Sequence, residues 1–183
     1  KEHGIEHEII DTQIFDLAGE KIRKNSSFCS FFSRMRRGYL YSTAQEQGYN
    51  KVALGHHLDD AMESFFMNFF YNGTMRSMPP IYKAENGLEV IRPLIFCRER
   101  QLRAFANTNE INVIGDEACP GLRFDVKMPH ARAATKELLA KLEEENPKIF
   151  VSMKSAFKNI QLGTFFYKDL NDLTSSCEED NEA

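Results

Sequence analysis

The chain has 183 residues, of which 42% are hydrophobic and 11% aromatic, and this composition can bury a sizeable core and argues against disorder over most of the length. No stretch approaches the roughly 18 apolar residues of a membrane span, and Lys1–Asp11 lacks the apolar core of a signal peptide. The four cysteines have no close pairs and do not form a disulfide framework, so the composition predicts a reduced, cytoplasmic protein with no membrane partner.

The formal net charge of −4 is unevenly distributed along the chain. Residues 169–183 hold six acids and no Lys or Arg, which predicts a disordered acidic tail. The other 21 acids and 23 bases leave the rest of the chain at +2. A nearly neutral body neither requires nor excludes a nucleic acid partner, because local basic clusters matter more than the total charge.

The first part of the chain shows the periodicities of alternating strands and helices. The predicted spans are Ile5–Ile14 (strand), Ser30–Gln47 (helix), Lys51–Gly55 (strand), and a helix that Asp59 or Asp60 caps and that ends near Tyr71. Gly48 stands where a glycine commonly ends a helix. Lys51–Gly55 is a short continuous apolar run, which is typical of a buried parallel strand. The aromatic cluster Phe65–Phe70 is expected to be core.

The second part continues the alternation and ends in helices. Asn86-Gly87 predicts a turn between two strands. The predicted spans are Ile81–Ala84 and Leu88–Ile91 (strands), Arg98–Asn109 (helix), Asn112–Gly115 (strand), and the helices Pro129–Glu145 and Pro147–Gln161. This order predicts an α/β fold with a parallel sheet and C-terminal helices.

The densest chemical signal is the segment Lys51–Asp60, in which a strand end runs into a helix start. Open α/β sheets bind ligands beyond the carboxyl ends of their strands, and helix N-termini bind anions. A glycine there permits close backbone approach, and the carboxylates can hold Mg²⁺ or a ribose. The candidate nucleotide-binding residues are Gly55, His56, His57, Asp59 and Asp60, with Asp60 as the candidate ligand for Mg²⁺.

This segment and several others resemble the PP-loop ATPases of the tRNA 2-thiocytidine synthetase family. The matching segments are 29–41, 51–60, 78–80, 91–94, 97–99 and 157–160, in unbroken order over about residues 25–165. The resemblance implies a sheet of the adenine nucleotide alpha hydrolase-like (HUP/PP-loop) type. It further implies an ATP-dependent tRNA sulfurtransferase, which adenylates the C2 oxygen of a tRNA cytidine and replaces it with sulfur, releasing AMP and pyrophosphate.

The chain departs from the family pattern at its beginning. The Ser-Gly-Gly-x-Asp-Ser phosphate loop that defines the family does not occur in the sequence. Lys1–Ile14 resembles the segment that follows that loop, so we expect the sequence to begin within the fold. The expected organisation is an ATPase domain over 1–128, a helical part over 129–168 and the acidic tail over 169–183.

A second departure concerns the cysteines. The family holds an iron–sulfur cluster on a Cys-x-x-Cys pair and a third cysteine, where this chain has Cys29, Phe32 and Cys119. Phe32 cannot ligate iron, so two of the three positions remain. Cys29 and Cys119 are the candidate catalytic residues for sulfur transfer, either as cluster ligands or as a persulfide carrier with a resolving thiol. The alternative is that both are buried apolar residues with no role in the chemistry. Cys97 is expected to be a core residue.

The resemblance also implies partners. Arg34, Arg36 and Arg37 lie beside Tyr39 and Tyr41, and arginines with aromatic rings commonly bind single-stranded RNA loops, although a solvated helix face has the same pattern. The expected partners are a tRNA and a sulfur donor of the cysteine desulfurase type, and a homodimer is compatible with the family. Two alternatives stay open: an adenylating PP-loop enzyme that acts on another substrate without thiolation, and a non-catalytic binding module.

Overall fold

The computed structural model describes Gly4, residues 6–14, Leu17, residues 28–113 and residues 130–164. The chain divides into two compact units, Lys1–Leu138 and Leu139–Ala183. The helices and strands in chain order are α1 (Phe28–Glu46), β1 (Lys51–Ala53), α2 (Leu58–Tyr71), β2 (Ile81–Lys83), β3 (Glu89–Ile91), α3 (Glu99–Thr108), α4 (His130–Glu145), α5 (Ile149–Ala156) and a 3₁₀ turn (Leu162–Thr164). None of the helices in these ranges is long and apolar enough to cross a membrane.

The described strands of the first unit form one sheet in the order β1-β3-β2. β1 pairs with β3 in parallel, with Val52 opposite Val90, as the α/β prediction requires. β2 pairs with β3 in antiparallel orientation through the predicted turn, where Gly87 has a φ of 89° that suits glycine. Val90 in the central strand has no exposed surface, whereas Val52 is only half-buried. The prediction that β1 is buried is therefore wrong, because β1 lies at the edge of the described sheet.

Helix α2 provides much of the core of this unit. Its first two turns bury Leu58, Ala61 and Met62. Further along the helix, aromatic rings four residues apart stack in two pairs, Phe65 with Phe69 and Phe66 with Phe70. Phe69 and Phe70 are 48% and 52% exposed. The prediction that the whole aromatic cluster is core is therefore wrong at its end, since a helix buries only one stripe of its surface.

Two predicted strands differ from the structure. Residues 6–13 form no strand and are exposed, and Ile14 is helical and buried. The described part of Asn112–Gly115 also forms no strand, and Val113 is 73% exposed. Alternating side chains alone do not make a strand, because the backbone N–H and C=O groups need a neighbouring strand with which to pair.

The second unit begins within α4, whose span agrees closely with the predicted helix. Helix α5 is shorter than predicted, because the segment after Asn146 first forms a turn in which the Lys148 N–H donates to the Asn146 side chain at 3.1 Å. Leu139 and Phe150 are the buried apolar residues of this unit in the described ranges. The acidic tail lies outside the described residues, and the three predicted domain boundaries stay predictions.

We expect Met62→Ala to lower the free energy of unfolding by about 2–5 kcal/mol, because Met62 is 1% exposed and its removal leaves a cavity in a packed core. The matched control is Met75→Ala, since Met75 is 58% exposed and should change stability by less than about 0.5 kcal/mol. Urea unfolding of both variants measures the difference. Equal losses in the two variants would contradict the placement of the core.

Candidate functional site

The candidate site lies where β1 ends and α2 begins. The Leu54 N–H donates to the Ile91 carbonyl at 2.9 Å, and the Leu58 N–H donates to the Cys97 carbonyl at 2.9 Å. These two bonds hold the segment 54–58 against the chain that follows β3. Because β1 and β3 run parallel, their carboxyl ends meet at one edge of the sheet, where open α/β sheets bind their ligands.

Helix α2 begins with a reciprocal pair of hydrogen bonds between His57 and Asp60. The Asp60 N–H donates to His57 Nδ1 at 3.4 Å, and the His57 N–H donates to Asp60 Oδ2 at 3.0 Å. The prediction that Asp59 or Asp60 is the N-cap residue is therefore wrong, since the N-cap is His57. An imidazole nitrogen here accepts the bond that a side-chain oxygen usually accepts, and Asp60 closes the capping box from the third helical position.

Asp59 joins the start of α2 to the start of α3. Its carboxylate accepts from Arg98 Nε at 3.2 Å and from Arg98 Nη2 at 3.1 Å, and it also accepts from the Glu99 N–H at 2.7 Å. The Asp59 and Arg98 side chains are only 14% and 12% exposed. A two-pronged pair of this kind combines charge with fixed geometry. Asp59 therefore aligns two helix starts, and it does not line the cavity described below.

Asp60 and Glu63 share one guanidinium from α4. Arg132 Nη2 donates to Asp60 Oδ1 at 3.1 Å, and Arg132 Nε donates to Glu63 Oε2 at 3.0 Å. Burial raises the pKa of the Glu63 carboxyl, and the attraction of Arg132 opposes that rise. The sequence analysis did not identify Glu63, although its spacing of three residues from Asp60 places both on the same side of a helix.

A cavity of about 1020 Å³ opens beside this segment, and we call it the arginine-lined cavity. Its walls come from α1, the segment 54–57, α2, the loop 76–79, Tyr82 and Arg92. The space that a Cβ atom would occupy at Gly55 is open, so the packing of the protein itself does not require a glycine there. Four of the five candidate nucleotide-binding residues line this cavity, namely Gly55, His56, His57 and Asp60.

The charge of the cavity lining is strongly positive. Arg36 and Arg37 line it from α1, whereas Arg34 is exposed and lies outside the lining. Arg76 and Arg92, which the sequence analysis did not propose as site residues, also line it. The single carboxylate among the described lining residues is Asp60, which Arg132 already pairs. Such a lining attracts an anionic ligand.

His56 is half-buried in the same wall. Its Nδ1 atom is buried and has no hydrogen-bond partner among the described residues. Burial lowers the pKa of His56, and the positive charge of Arg92 lowers it further. The imidazole is therefore neutral at neutral pH, and it adds a polar group but no further positive charge to the four arginines of the lining.

Arg92 is part of a network that links β2 to α1. Its Nη1 donates to the Pro79 carbonyl at 2.6 Å, and its guanidinium lies 5.2 Å from the centre of the Tyr82 ring. The Tyr82 and Tyr41 hydroxyls are hydrogen-bonded at 2.8 Å. Burial, together with this hydrogen bond, raises the pKa of Tyr41 to about 12, so the Tyr41 hydroxyl stays protonated. The signal that could have identified Arg92 is its position directly after β3, at the end of a strand.

The predicted sulfur site lies largely outside the described residues. The backbone of Cys29 is in the first turn of α1, but its side chain and all of Cys119 fall outside the described part. Cys97 is a half-buried free thiol in the turn before α3. Within the described ranges, no group of three or more His, Cys, Asp or Glu side chains is placed to hold a metal ion.

Comparison with known proteins adds a family match. Residues 11–127 match the model of the PP-loop domain family. Among proteins of assigned function, the chain is 43% identical over 163 residues to the tRNA-cytidine(32) 2-sulfurtransferase of Geobacter metallireducens, covering 88% of this chain and 62% of that protein. It is 36% identical to the enzyme of the same name from Pseudomonas syringae, covering 96% of this chain and 62% of that protein. The chain thus spans less than two thirds of the length of these relatives.

A solved structure supports the same fold. The U34-tRNA thiolase NcsA from Methanococcus maripaludis, solved with its [4Fe-4S] cluster, superimposes with a TM-score of 0.59 at 21% identity. The similarity covers 82% of this chain and 51% of the thiolase. At this level of identity the comparison establishes the fold, and it confirms the predicted α/β class.

We expect Asp59→Ala to lower the free energy of unfolding by about 3 kcal/mol, because it removes a mostly buried carboxylate that accepts from the Arg98 guanidinium and from the Glu99 N–H. A lost helix cap would cost only about 1 kcal/mol. Chemical denaturation measures the loss, and Glu85→Ala is the control, because that exposed carboxylate lies in the β2–β3 turn. A loss from Asp59→Ala that persists unchanged in an Arg98→Ala background would contradict the pairing.

Proposed function

The chain belongs to the PP-loop domain family, and on this premise we propose that the protein is an ATP-dependent tRNA-modifying enzyme that replaces the C2 oxygen of a cytidine with sulfur. The observation that carries the proposal is the arginine-lined cavity, in which Gly55, His56 and Asp60 lie beside four arginines. Both substrates of such a reaction, ATP and tRNA, carry phosphates that suit a positive cavity. The two relatives named as tRNA-cytidine(32) 2-sulfurtransferases support the same substrate class.

The proposed chemistry has two steps. The C2 carbonyl oxygen of the cytidine attacks the α-phosphorus of ATP, and the bond to pyrophosphate breaks. A sulfur nucleophile then attacks C2, and AMP leaves with the original oxygen. Both steps build negative charge on phosphate oxygens, and fixed positive groups that face those oxygens stabilise the transition states without reorganising.

The cavity residues have distinct proposed roles. Arg36 and Arg37 neutralise phosphate charge from α1, and the neutral His56 hydrogen-bonds the nucleotide without adding charge. Asp60 orients the Mg²⁺ that accompanies ATP as a substrate. Its present partner Arg132 also pairs with the buried Glu63, so Asp60 takes the metal when its contact with Arg132 Nη2 alone is released. Asp59 acts only by keeping α2 in place.

The sulfur step is assigned to Cys29 and Cys119. Cys29 lies in the first turn of α1, the helix that also presents Arg36 and Arg37 to the cavity. Phe32, half-buried one turn later, cannot ligate iron, which favours a persulfide over a cluster. The outer sulfur of the persulfide bonds to C2 as AMP leaves, and the second thiol then attacks the inner sulfur. This attack releases the thiolated cytidine and forms a disulfide between Cys29 and Cys119, which an external thiol reductant returns to two thiols. The sulfur comes from a donor of the cysteine desulfurase type. The proposal also includes a cytoplasmic location, a homodimer, and the predicted domain division.

We expect Asp60→Asn to lower tRNA-dependent AMP formation by roughly 100-fold, because the amide cannot hold the metal that accompanies ATP. Asparagine keeps the size of the side chain and an oxygen that accepts from the His57 N–H, so the helix start should survive. AMP is measured by chromatography with the full-length protein and tRNA. Glu85→Gln is the control for loss of one negative charge. AMP formation at the wild-type rate would contradict the role of Asp60.

We expect Cys29→Ser and Cys119→Ser each to abolish 2-thiocytidine formation while ATP-dependent AMP formation continues, because nucleotide and sulfur use different residues. Mass spectrometry of digested tRNA measures the thiolated nucleoside. Cys97→Ser is the control, since that thiol is half-buried before α3 and outside the cavity lining. Normal thiolation by both serine variants would refute the sulfur assignment. AMP formation without any thiolation by the wild type would favour an adenylating enzyme of another substrate.

A further inference from the structure

Arg92 is a buried cation without a counter-charge. The residue is 9% exposed, and no carboxylate in the described part of the chain lies within ion-pair distance of it. Among the described residues, the contacts of its guanidinium are the Pro79 carbonyl and the face of the Tyr82 ring. Arginine is almost never buried to this degree unless it is paired, because removing its charge from water is costly.

Arg92 also has a donor that the protein does not use. Its Nε–H is buried and has no acceptor among the described residues. A buried donor without a partner loses its hydration and gains nothing in return, so such groups in a folded protein call for a specific explanation. The Arg92 guanidinium lacks a hydrogen-bond acceptor and a negative counter-charge. One oxyanion of a ligand in the cavity can supply both.

The surroundings of Arg92 specify the charge of that ligand. Arg92 and Arg36 both lower the pKa of His56, and Arg92 and Arg37 both act on Tyr41 from nearby. The cavity therefore brings together arginines from α1 and from the chain after β3. Arg76 joins them from the loop after α2, and its side chain has no carboxylate partner among the described residues.

We infer that Arg92 and Arg76 form a phosphate-binding subsite of the arginine-lined cavity, in which Arg92 is the buried anchor and Arg76 the exposed contact. Phosphate is the class that fits, because guanidinium groups match its oxygens in pairs and several arginines face one group of high charge. The phosphate belongs to the triphosphate of ATP or to the backbone of an RNA. The choice of ATP and RNA as the sources of the phosphate rests on the proposed function, whereas the affinity of the subsite for phosphate rests on the arginines alone.

The subsite is tested by binding without turnover. Isothermal titration calorimetry on the full-length protein uses inorganic pyrophosphate as one probe and an RNA stem–loop with an unpaired cytidine as the other. Arg92→Lys keeps the charge and removes the Nε–H and the planar fork, and Arg76→Gln removes an exposed charge. Lys83→Gln is the matched control, because Lys83 is an exposed cation next to Tyr82 on β2 and outside the cavity lining.

We expect Arg92→Lys to weaken at least one probe by about 10-fold or more, and Lys83→Gln to stay within about twofold of the wild type. If RNA is the ligand, Arg76→Gln should lower the slope of log affinity against log salt by about 0.7–0.9, the value for one phosphate contact. Loss of pyrophosphate binding assigns the subsite to ATP, and loss of RNA binding alone assigns it to RNA. Thermal melting of each variant separates these losses from unfolding.

The inference is overturned if the wild type binds neither probe, or if both variants bind both probes within about twofold of the wild type. It is also overturned if Lys83→Gln weakens binding as much as Arg76→Gln does, since both variants remove one exposed positive charge and equal losses would reflect total charge only. Arginine-dependent binding in a protein that does not thiolate tRNA would refute the proposed function and leave the subsite intact. The two failures are therefore distinguishable.

Discussion

The parallel pairing of β1 with β3 is the constraint on which the candidate site depends. It places two strand ends at the same edge of the sheet, although about forty residues separate them in the chain. The segment that leaves β1 then bonds through Leu54 and Leu58 to the carbonyls of Ile91 and Cys97. This pairing brings the motif 51–60 next to the residues that follow β3, so that both line one cavity. Backbone hydrogen bonds therefore determine which side chains can meet at the site.

Two adjacent carboxylates at this edge have different tasks. Asp59 is tied to Arg98 and the first N–H of α3, and Asp60 closes the cap of α2 and turns toward the cavity. Successive residues of a helix point about 100° apart, so neighbours in sequence face different surroundings. Asp59 is therefore part of the frame that holds the helix, which leaves Asp60 as the carboxylate available to a ligand.

The cavity combines fixed positive charge with neutral polar groups. Burial keeps His56 neutral and Tyr41 protonated, so the charge of the lining comes from arginines that cannot lose their protons. Arg92 is the most buried of them, and a carbonyl and an aromatic ring hold its guanidinium at the cavity wall. Its charge is placed before a ligand arrives, and a ligand phosphate then meets donors that need little rearrangement.

Much of the frame is determined by the sequence alone. Helical spacing and the glycine at position 48 predict α1 and α2 to within a residue or two, and Asn86-Gly87 predicts the hairpin. The motif 51–60 led directly to the site, because strand ends and helix starts bind ligands through local backbone geometry. These features depend on residues close together in the chain.

Only the tertiary structure decided which side chains share the site. Arg36 and Arg37 line the cavity, whereas Arg34 and Asp59 do not. Arg76 and Arg92 line it as well, although the sequence analysis did not propose them. The strand predicted over Ile5–Ile14 is also absent from the described part of that span, where the alternating residues have no partner strand among the described residues. Periodicity states which residues share a face of one element. Which elements meet, and which charge a neighbour already pairs, depends on contacts between distant parts of the chain, and those contacts leave no local pattern.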